Sequence, residues 1–358
     1  MIRKIISALT LILIVFVLWQ AKDQIFMAVD YLQNTNLLVV LMLIPEQLFM
    51  YYCCGQMFFS YMRAKGDSKN ISKFDLFRIS LELNFMNHAV PSGGVSGLGY
   101  IAWRLKPYGA SYGETSFMYL LRYAITISTN QLQTVLAIIF LISQGELSDS
   151  ASWILGVVAF VCLAIFLVIV AIVVIASSKK RIDWFAKTGT KFVNWFVEKI
   201  TFGHKKDILN LKTVQSYFHD IHKNLMEARE NKSILIKPIL WGVVYSFLEV
   251  ATYWVVSISM GHPELLPPIM VAEAIGSVIG GIVATPGGIG GYEGSMIGVM
   301  TMLNVEIGLA TAVVVTTRVI VLVLTVGSGY GFYQHAVSKI GKKERAEIER
   351  INEDNPLD

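Results

Sequence analysis

Long apolar runs recur along the chain, separated by polar connections. Each run extends for roughly 15 to 25 residues without the two-residue alternation of a membrane β-strand. At 1.5 Å per residue, a helix of that length crosses the hydrocarbon core of a membrane. The runs predict six full spans: Ile5 to Trp19, Leu37 to Tyr61, Ser116 to Ile142, Trp153 to Ala176, Ile239 to Met260 and Leu309 to Tyr333.

Two further apolar segments, Ser80 to Trp103 and Ile269 to Met302, are interrupted by proline and clustered glycine. Proline removes a backbone donor and glycine permits a sharp reversal, so each segment predicts a re-entrant hairpin of two short helices. The predicted fold class is an all-α polytopic membrane protein with about six full transmembrane helices and two broken hairpins. Composition supports the membrane assignment, because 54% of residues are hydrophobic and only 16% are charged.

The first span invites comparison with a secretory signal peptide. No small-x-small cleavage site follows between Gln20 and Asp30, so we interpret the run as a retained first helix. The cysteines are not spaced as a metal site or a disulfide framework, since Cys53 and Cys54 are adjacent and Cys162 lies alone in an apolar run.

The same combination of features occurs twice, which predicts an internal duplication. In each copy a helix with a glutamate precedes a broken hairpin, and a helix with a lone arginine follows. The proline of the break precedes the arginine by 31 positions in the first copy and by 32 in the second. The matching residues are Glu46, Pro91 and Arg122 in the first copy, and Glu249, Pro286 and Arg318 in the second.

The distribution of lysine and arginine predicts the orientation, because these residues favour the cytoplasmic ends of spans. Basic residues are concentrated at the N-terminus, between Arg63 and Arg78, between Lys179 and Lys237, and in the tail. We therefore expect a protein of the plasma (inner) membrane with both termini in the cytoplasm. The loops Gln144 to Ser150 and Gly261 to Pro268 lack this excess and should lie outside.

With that orientation the two copies have opposite topology, and inverted repeats of this kind usually place a substrate site near the bilayer midplane between them. The expected organisation is a single integral membrane domain. Its parts are a first repeat at 37–142, a cytoplasmic basic amphipathic segment at 177–236, an inverted second repeat at 237–333 and a cytoplasmic tail at 334–358, within residues 1–358. Aromatic and basic residues interleave in the cytoplasmic segment, which fits either a helix lying on anionic lipid or a helical linker packed on the spans.

Arg122 and Arg318 are the main candidates for substrate binding. An arginine at the centre of a membrane helix costs about 2.5 to 3.5 kcal/mol on insertion scales, so each needs an acidic partner, a watery cavity or a bound anion. A guanidinium matches the oxygens of a phosphate through two parallel hydrogen bonds. The alternative is structural: a salt bridge to Glu46 or Glu249 that holds helices together. These glutamates, with His88, are also candidates for proton coupling.

The breaks add a second attraction for anions, because a helix that restarts there directs backbone amides into the protein interior. The alternative is that the glycines only allow close helix packing. Buried polar side chains near the breaks either line a pathway or satisfy broken-helix carbonyls. The candidate binding residues at the breaks are Pro91, Gly93, Gly94, Pro286, Gly287 and Gly288, with Asn87 and Glu293 beside them.

Enzymatic signatures fail on inspection. Gly97 to Ala102 matches a dinucleotide fingerprint in letters only, since no strand precedes it. His219 and His222 share a helix face, but no further ligand completes a zinc set. No P-loop, HExxH or serine-elbow motif occurs. We expect no enzyme, no catalytic residue, no metal, no cofactor and no nucleic-acid partner.

The motifs resemble those of the integral-membrane family named for the transmembrane region of lysylphosphatidylglycerol synthase. One matching stretch runs from Asn87 to Gly94 and through Arg104, Gly109 and Arg122. The more specific one is Pro286-Gly287-Gly288-Ile289-Gly290-Gly291-Tyr292-Glu293, followed by Gly308 and Arg318. The resemblance extends from the first helix to about Tyr333.

In two-part members of that family, the membrane half translocates aminoacylated phosphatidylglycerol and a soluble half synthesises it. This chain ends about 25 residues after its last predicted span, so we expect a stand-alone member without the synthase half. The resemblance implies a flippase-like protein for an anionic phospholipid, an aminoacyl-lipid or a lipid-linked glycan. The alternative is a non-transporting scaffold or regulator of an envelope-lipid enzyme, with a synthase or glycosyltransferase as partner. A small-solute transporter ranks third, and the oligomeric state stays open.

Overall fold

The chain is helical throughout the part that the structure describes. The structure is a computed structural model, and it describes residues 15, 19, 21–33, 35–66, 71–90, 95–143, 152–200, 208–283, 285 and 288–354. No β-strand occurs in those ranges, which confirms the predicted all-α class. The helices are α1 Lys22–Leu32, α2 Leu37–Leu41, α3 Leu43–Lys65, α4 Lys73–Ala89, α5 Val95–Leu105, α6 Tyr112–Ser143, α7 Ser152–Ala176, α8 Lys179–Ile200, α9 Leu211–Glu230, α10 Ser233–Ser259, α11 Leu266–Ile282, α12 Gly291–Met302 and α13 Ile307–Asp354.

Six helical stretches are long and apolar enough to cross a membrane within the described ranges. Five of them coincide with predicted spans, whereas the predicted span from Ile5 to Trp19 lies almost entirely outside the described residues. The sixth is the first arm of the second hairpin, whose 19 residues are enough for a crossing, although its mean hydropathy is the lowest of the six. The six stretches are Leu37–Lys65, Tyr112–Ser143, Ala159–Ala176, Ser233–Ser259, Pro263–Gly281 and Ile307–Ser338.

The chain divides into two compact units, and each predicted repeat contributes to both. Unit 1 comprises residues 1–52, 72–100 and 248–358, and unit 2 comprises residues 53–71 and 101–247. Unit 1 therefore contains both predicted breaks and Arg318, whereas unit 2 contains Arg122 and the basic amphipathic segment.

The first hairpin of unit 1 is formed by α4 and the start of α5, which run antiparallel on either side of the break. The Ser96 hydroxyl donates to the Met86 carbonyl at 3.2 Å, and the Tyr100 hydroxyl donates to Glu82 at 2.8 Å. Ser72 caps the N-terminus of α4, where its hydroxyl accepts from the Asp75 amide. The four residues at 91–94 of the break lie outside the described residues.

The second hairpin consists of α11 and α12, packed closely because glycines line the first arm. A Cβ added at Gly276 would lie 2.7 Å from Met296, and one at Gly280 would lie 2.7 Å from Tyr292. Gly288 in the break has a positive φ of 72°, and a Cβ there would lie 2.9 Å from the Gly280 carbonyl oxygen. Only glycine satisfies both the dihedral and the space, which explains why residue 288 is glycine.

Helix α13 is the packing centre of unit 1, since it contacts α1, α4 and α12. It packs tightly on the first hairpin at Gly329, where an added Cβ would meet the Phe85 side chain at 2.5 Å and the Leu81 carbonyl at 2.8 Å. One turn earlier in the helix, Thr325 forms a hydrogen bond with Tyr51 of α3. Both hairpins therefore pack on the same long helix, the one that carries Arg318.

Unit 2 is organised around α6 and α9, which pack together and both contact α7 and the later turns of α3, while α8 packs on α9. Lys65 joins three of these helices, with its Nζ 3.5 Å from Glu114 of α6 and 3.1 Å from Glu227 of α9. The same ammonium donates to Asn224 at 2.7 Å. These contacts anchor α9, a polar helix, to the apolar helices of the unit.

Candidate functional site

Arg318 lies in the first half of the membrane-spanning stretch of α13, Ile307–Ser338, and forms a buried ion pair. Its Nε donates to Glu293 Oε1 at 2.8 Å, and the arginine and glutamate side chains are 13% and 5% exposed. The guanidinium carbon also lies 4.5 Å from the centre of the Tyr292 ring, a cation–π distance. Both partners come from the first turn of α12, so the second break places an acid and a ring against the arginine.

Glu293 has two functions at this position. Its Oε2 accepts from the Gly290 amide at 2.6 Å and caps α12, while its Oε1 binds Arg318. Gly290, the N-cap residue, has φ of 91°, so the turn that brings its amide to the carboxylate also requires glycine. The sequence predicted that the amides at this helix start would attract an anion. In the structure, the Gly290 amide at this helix start instead binds the carboxylate of Glu293, which belongs to the protein itself.

The ion pair lines a narrow cavity inside unit 1, with space for about one water molecule. His88, from the last turn of α4, is also in the lining, so a residue beside the first break and the pair at the second break share one cavity. His88 Nδ1 lies 2.9 Å from the Asn84 carbonyl oxygen, which can only accept, so that nitrogen carries a proton. Among the described residues, the lining comprises Gln24, His88, Ile289, Glu293, Arg318, Val319, Val321 and Leu322.

A second buried carboxylate lies close behind the ion pair. Tyr292 donates its hydroxyl to Glu273 Oε1 at 3.4 Å, and Glu273 is 1% exposed. The other carboxylate oxygen, Oε2, is buried without a hydrogen-bond partner. The first hairpin has the same arrangement, because Tyr100 of its second arm bonds to the fully buried Glu82 of its first arm. Each hairpin is thus cross-linked by a buried glutamate–tyrosine pair.

These glutamate–tyrosine pairs were not predicted from the sequence. Glu273 stands within an apolar helix, and an ionisable residue in such a helix is a signal that could have drawn attention to it. Glu82 follows Arg78 by four residues, which is the sequence pattern of an ordinary ion pair on a helix surface. In the structure the two side chains are 3.4 Å apart. The tyrosines gave no signal, because aromatic residues are common throughout this chain.

Arg122 in unit 2 has a different environment, composed of aromatic rings. Its guanidinium carbon lies between 5.4 and 6.0 Å from the ring centres of Phe58, Tyr123 and Tyr245. Its Nη2 donates to the Tyr245 hydroxyl at 3.4 Å, while its Nη1 is buried without a hydrogen-bond partner. Arg122 is 7% exposed, and no carboxylate among the described residues of unit 2 forms an ion pair with it.

The glutamates of the two copies, Glu46 and Glu249, are neighbours in unit 1. Glu46 Oε1 accepts from Thr252 at 3.1 Å and its Oε2 accepts from Gln47 at 3.0 Å, while Glu249 lies close enough to interact electrostatically with both Glu46 and Glu273. Arg318 is hydrogen-bonded to Glu293, whereas the sequence had named Glu46 or Glu249 as the possible salt-bridge partner. The sequence had proposed Glu293 as a binding residue but not as this partner.

The other predicted binding residues are placed as follows. Asn87 lies half-buried in the last turn of α4, next to His88, and Gly288 is buried in the second break. Unit 1 therefore brings together Arg318, Glu293 and His88 around the cavity. Pro91, Gly93, Gly94, Pro286 and Gly287 lie outside the described residues. Across the described ranges, no group of three or more histidine, cysteine, aspartate or glutamate residues is arranged to hold a metal ion.

The helices and the buried charges define a class of protein: a multi-pass α-helical membrane protein with an intramembrane ion pair beside a broken helix. The chain belongs to the family described as "Lysylphosphatidylglycerol synthase TM region", which it matches over residues 4–329. This confirms the resemblance recognised in the motifs.

A curated relative supports the same assignment at low identity. The chain is 22% identical over 281 residues to a "UPF0104 membrane protein" of Methanothermobacter thermautotrophicus, and the match covers 77% of this chain and 79% of the relative. No solved structure matches the chain. The family and the membrane location are therefore established, and the activity is a matter for proposal.

Proposed function

We propose that this protein moves a lipid with an anionic head group, such as a phospholipid, an aminoacyl-lipid or a lipid-linked glycan, across the plasma membrane. The observation that carries the proposal is the Arg318–Glu293 pair at the wall of the cavity in unit 1. A structural salt bridge has no need of a cavity, whereas a binding site requires both a charged group and space beside it.

The ion pair suits a reversible binding step. Phosphate oxygens match a guanidinium as well as a carboxylate does, so an arriving head group competes with Glu293 for Arg318. Glu293 is not left without a partner when it releases the arginine, because the Gly290 amide continues to donate to its other oxygen. The exchange therefore avoids most of the penalty for an isolated buried charge.

Arg122 provides independent support. Its Nη1 is a buried donor without a partner, and such a group costs stability unless something else binds it. Aromatic rings stabilise the cation partly, but they cannot accept a strong hydrogen bond as an oxygen does. We infer that Arg122 serves as a second contact for an anionic group in the membrane.

Movement requires a second conformation. The cavity beside Arg318 holds about one water molecule, so it must widen before a head group enters. The proposed orientation places both termini and the basic segment between α7 and α10 in the cytoplasm, following the excess of lysine and arginine. In this proposal the protein transports the lipid and does not synthesise it. Movement of the lipid down its own concentration gradient needs no further energy source.

The proposal is tested by measuring head-group accessibility in proteoliposomes. Fluorescent phosphatidylglycerol and phosphatidylcholine are compared, with a membrane-impermeant quencher reporting the fraction that reaches the outer leaflet. The variant Arg122→Met removes one proposed contact without breaking an ion pair, and Arg229→Met, at an exposed position of α9, is the matched control. Because Arg122→Met loses a charge-assisted hydrogen bond to the head group, we expect it to move the anionic lipid about ten- to a hundredfold more slowly than the wild type does.

Two results would contradict the proposal. Equal rates for the anionic and the zwitterionic lipid would show that the arginines do not select the head group. If the protein accelerates no lipid, the alternative from the sequence gains weight, namely a scaffold or regulator of an envelope-lipid synthase or glycosyltransferase.

A further inference from the structure

Helix α8 uses only one side to pack against the rest of unit 2. Ile182, Ala186 and Thr190, spaced by four residues, are buried on that side. The partner is α9, and a T-shaped contact between Phe185 and Phe218 joins the two helices. The rest of the α8 surface therefore takes no part in its packing on α9.

The remaining surface of α8 carries large aromatic side chains in contact with solvent. Trp184, Phe192, Trp195 and Phe196 form what we call the aromatic face, and they are 66%, 61%, 52% and 49% exposed. At 3.6 residues per turn these positions fall within an arc of about 120°. Phe192 packs against both Trp195 and Phe196, so three of the four rings form a continuous apolar surface, and Trp184 lies toward the helix N-terminus on the same side.

Basic residues accompany the aromatic face. Helix α8 contains six lysines and arginines and two acidic residues. One of the acids, Asp183, is engaged with α9, where His219 and Gln215 contact its Oδ1 at 2.9 and 3.3 Å. The ammonium of Lys199 lies 4.9 Å from the Trp195 ring centre, beside the face itself. The exposed surface of α8 is thus both apolar and cationic.

The position of α8 in the chain places its beginning next to the membrane. Only Ser177 and Ser178 separate it from α7. In that apolar span, none of the residues from Ala159 to Ala176 is buried by the protein. Helix α9, the other helix of the basic segment, exposes no large apolar side chain along its length. The exposed aromatic residues are therefore a property of the helix that starts at the membrane boundary, not of the segment as a whole.

We propose that the aromatic face of α8 binds the surface of a bilayer that contains anionic lipids, so that α8 lies in the interface and α9 covers it. Tryptophan and phenylalanine insert at the level of the head groups, and the flanking lysines and arginines attract the negative surface. This selects the lipid-bound alternative that the sequence left open. It does not depend on lipid transport, because a scaffold would keep the same contact.

The test uses a spin label on the full-length protein in nanodiscs. Thr188 lies on the exposed side of α8, between Trp184 and Phe192, and Thr188→Cys keeps every aromatic residue. Ser216→Cys, at an exposed position of α9, is the matched control. Both are made after the native cysteines are replaced by alanine. Collisions with oxygen, which enters lipid, and with a nickel chelate, which stays in water, are measured at each label.

We expect the ratio of oxygen to nickel-chelate accessibility to be several-fold higher at position 188 than at position 216 in discs containing phosphatidylglycerol. Replacing Lys180, Lys187 and Lys191 by glutamine should reduce this difference, since each such charge near an anionic surface contributes about a fivefold factor in binding.

Two outcomes would overturn the proposal. One is equal water accessibility at the two labels in every lipid composition. The other is a label at position 188 that faces water in lipid discs but becomes immobile and shielded from both reagents in native membranes. The second result would identify a protein as the partner of the aromatic face.

Discussion

Replacing Glu293 alone should destabilise the protein more than replacing both members of its ion pair. In Glu293→Gln, the single amide oxygen can accept from either the Gly290 amide or Arg318, but not from both as the carboxylate does. Whichever bond survives, the side-chain NH2 then faces the other donor. The variant therefore leaves a cation that is 13% exposed without its counter-charge.

The size of the effect follows from the environment of the pair. Removing one partner of a buried ion pair typically costs about 3 to 5 kcal/mol. The Tyr292 ring remains 4.5 Å from the guanidinium in the variant, and its cation–π attraction keeps the loss at or below the low end of that range. We therefore expect Glu293→Gln to cost about 2 to 3 kcal/mol, and Arg318→Met to cost a similar amount because it leaves the carboxylate buried. The double variant removes both charges and keeps the cap on α12, so its loss should be about 1 kcal/mol or less.

The assay is a double-mutant cycle on the free energy of unfolding, measured by steric trapping in bicelles. The expected coupling between the two positions is at least about 3 kcal/mol, because the two single losses of about 2 to 3 kcal/mol each should far exceed the double variant's loss of about 1 kcal/mol or less. If the two single losses simply add in the double variant, the side chains do not interact in the folded protein, and the pairing described here is incorrect.

Three further sets of variants test other contacts. Gly329→Ala should destabilise by about 1 to 3 kcal/mol in the same unfolding assay, because its Cβ would lie 2.5 Å from a side-chain carbon of α4, whereas Gly331→Ala, with nothing within 4 Å, should not. Tyr100→Phe should cost more than Tyr292→Phe, because the hydrogen bonds that they remove measure 2.8 and 3.4 Å; equal losses would contradict this. Arg122→Met should leave the thermal midpoint unchanged or raise it, since it removes a buried donor without a partner, and a large drop would show a structural role.

The sequence predicted features that depend on local properties. An apolar run long enough to cross a membrane is visible without knowledge of any neighbour, and five predicted spans are present as helices. The second break was also predictable, because the positive φ at Gly288 and Gly290 is a property that glycine supplies by itself. In the first arm of that hairpin, the sequence indicated a re-entrant segment, although the helix is long enough to cross.

The partners of buried charges were harder to predict because they depend on how helices pack. Four glutamates, Glu46, Glu249, Glu273 and Glu293, lie in or beside apolar helices, and nothing in the sequence says which of them meets Arg318. The choice of Glu293 results from the antiparallel packing of α12 on α13 after the break.

The aromatic surroundings of Arg122 show the same limitation. Phe58 and Tyr245 are separated from it by 64 and 123 positions, and each belongs to a different helix. A sequence rich in aromatic residues does not single out these two. The contact exists only once α3, α6 and α10 have packed together within unit 2.

The central claim is that the charged pair in unit 1 binds an anionic head group during transport. The most direct measurement is phosphatidylglycerol movement in proteoliposomes containing Glu293→Gln/Arg318→Met, the variant expected to fold while lacking both charges. We expect that this variant, at wild-type reconstitution levels and thermal stability, moves phosphatidylglycerol no faster than protein-free liposomes do. Movement at the wild-type rate would show that the Arg318–Glu293 pair is a structural element and that any lipid pathway lies elsewhere.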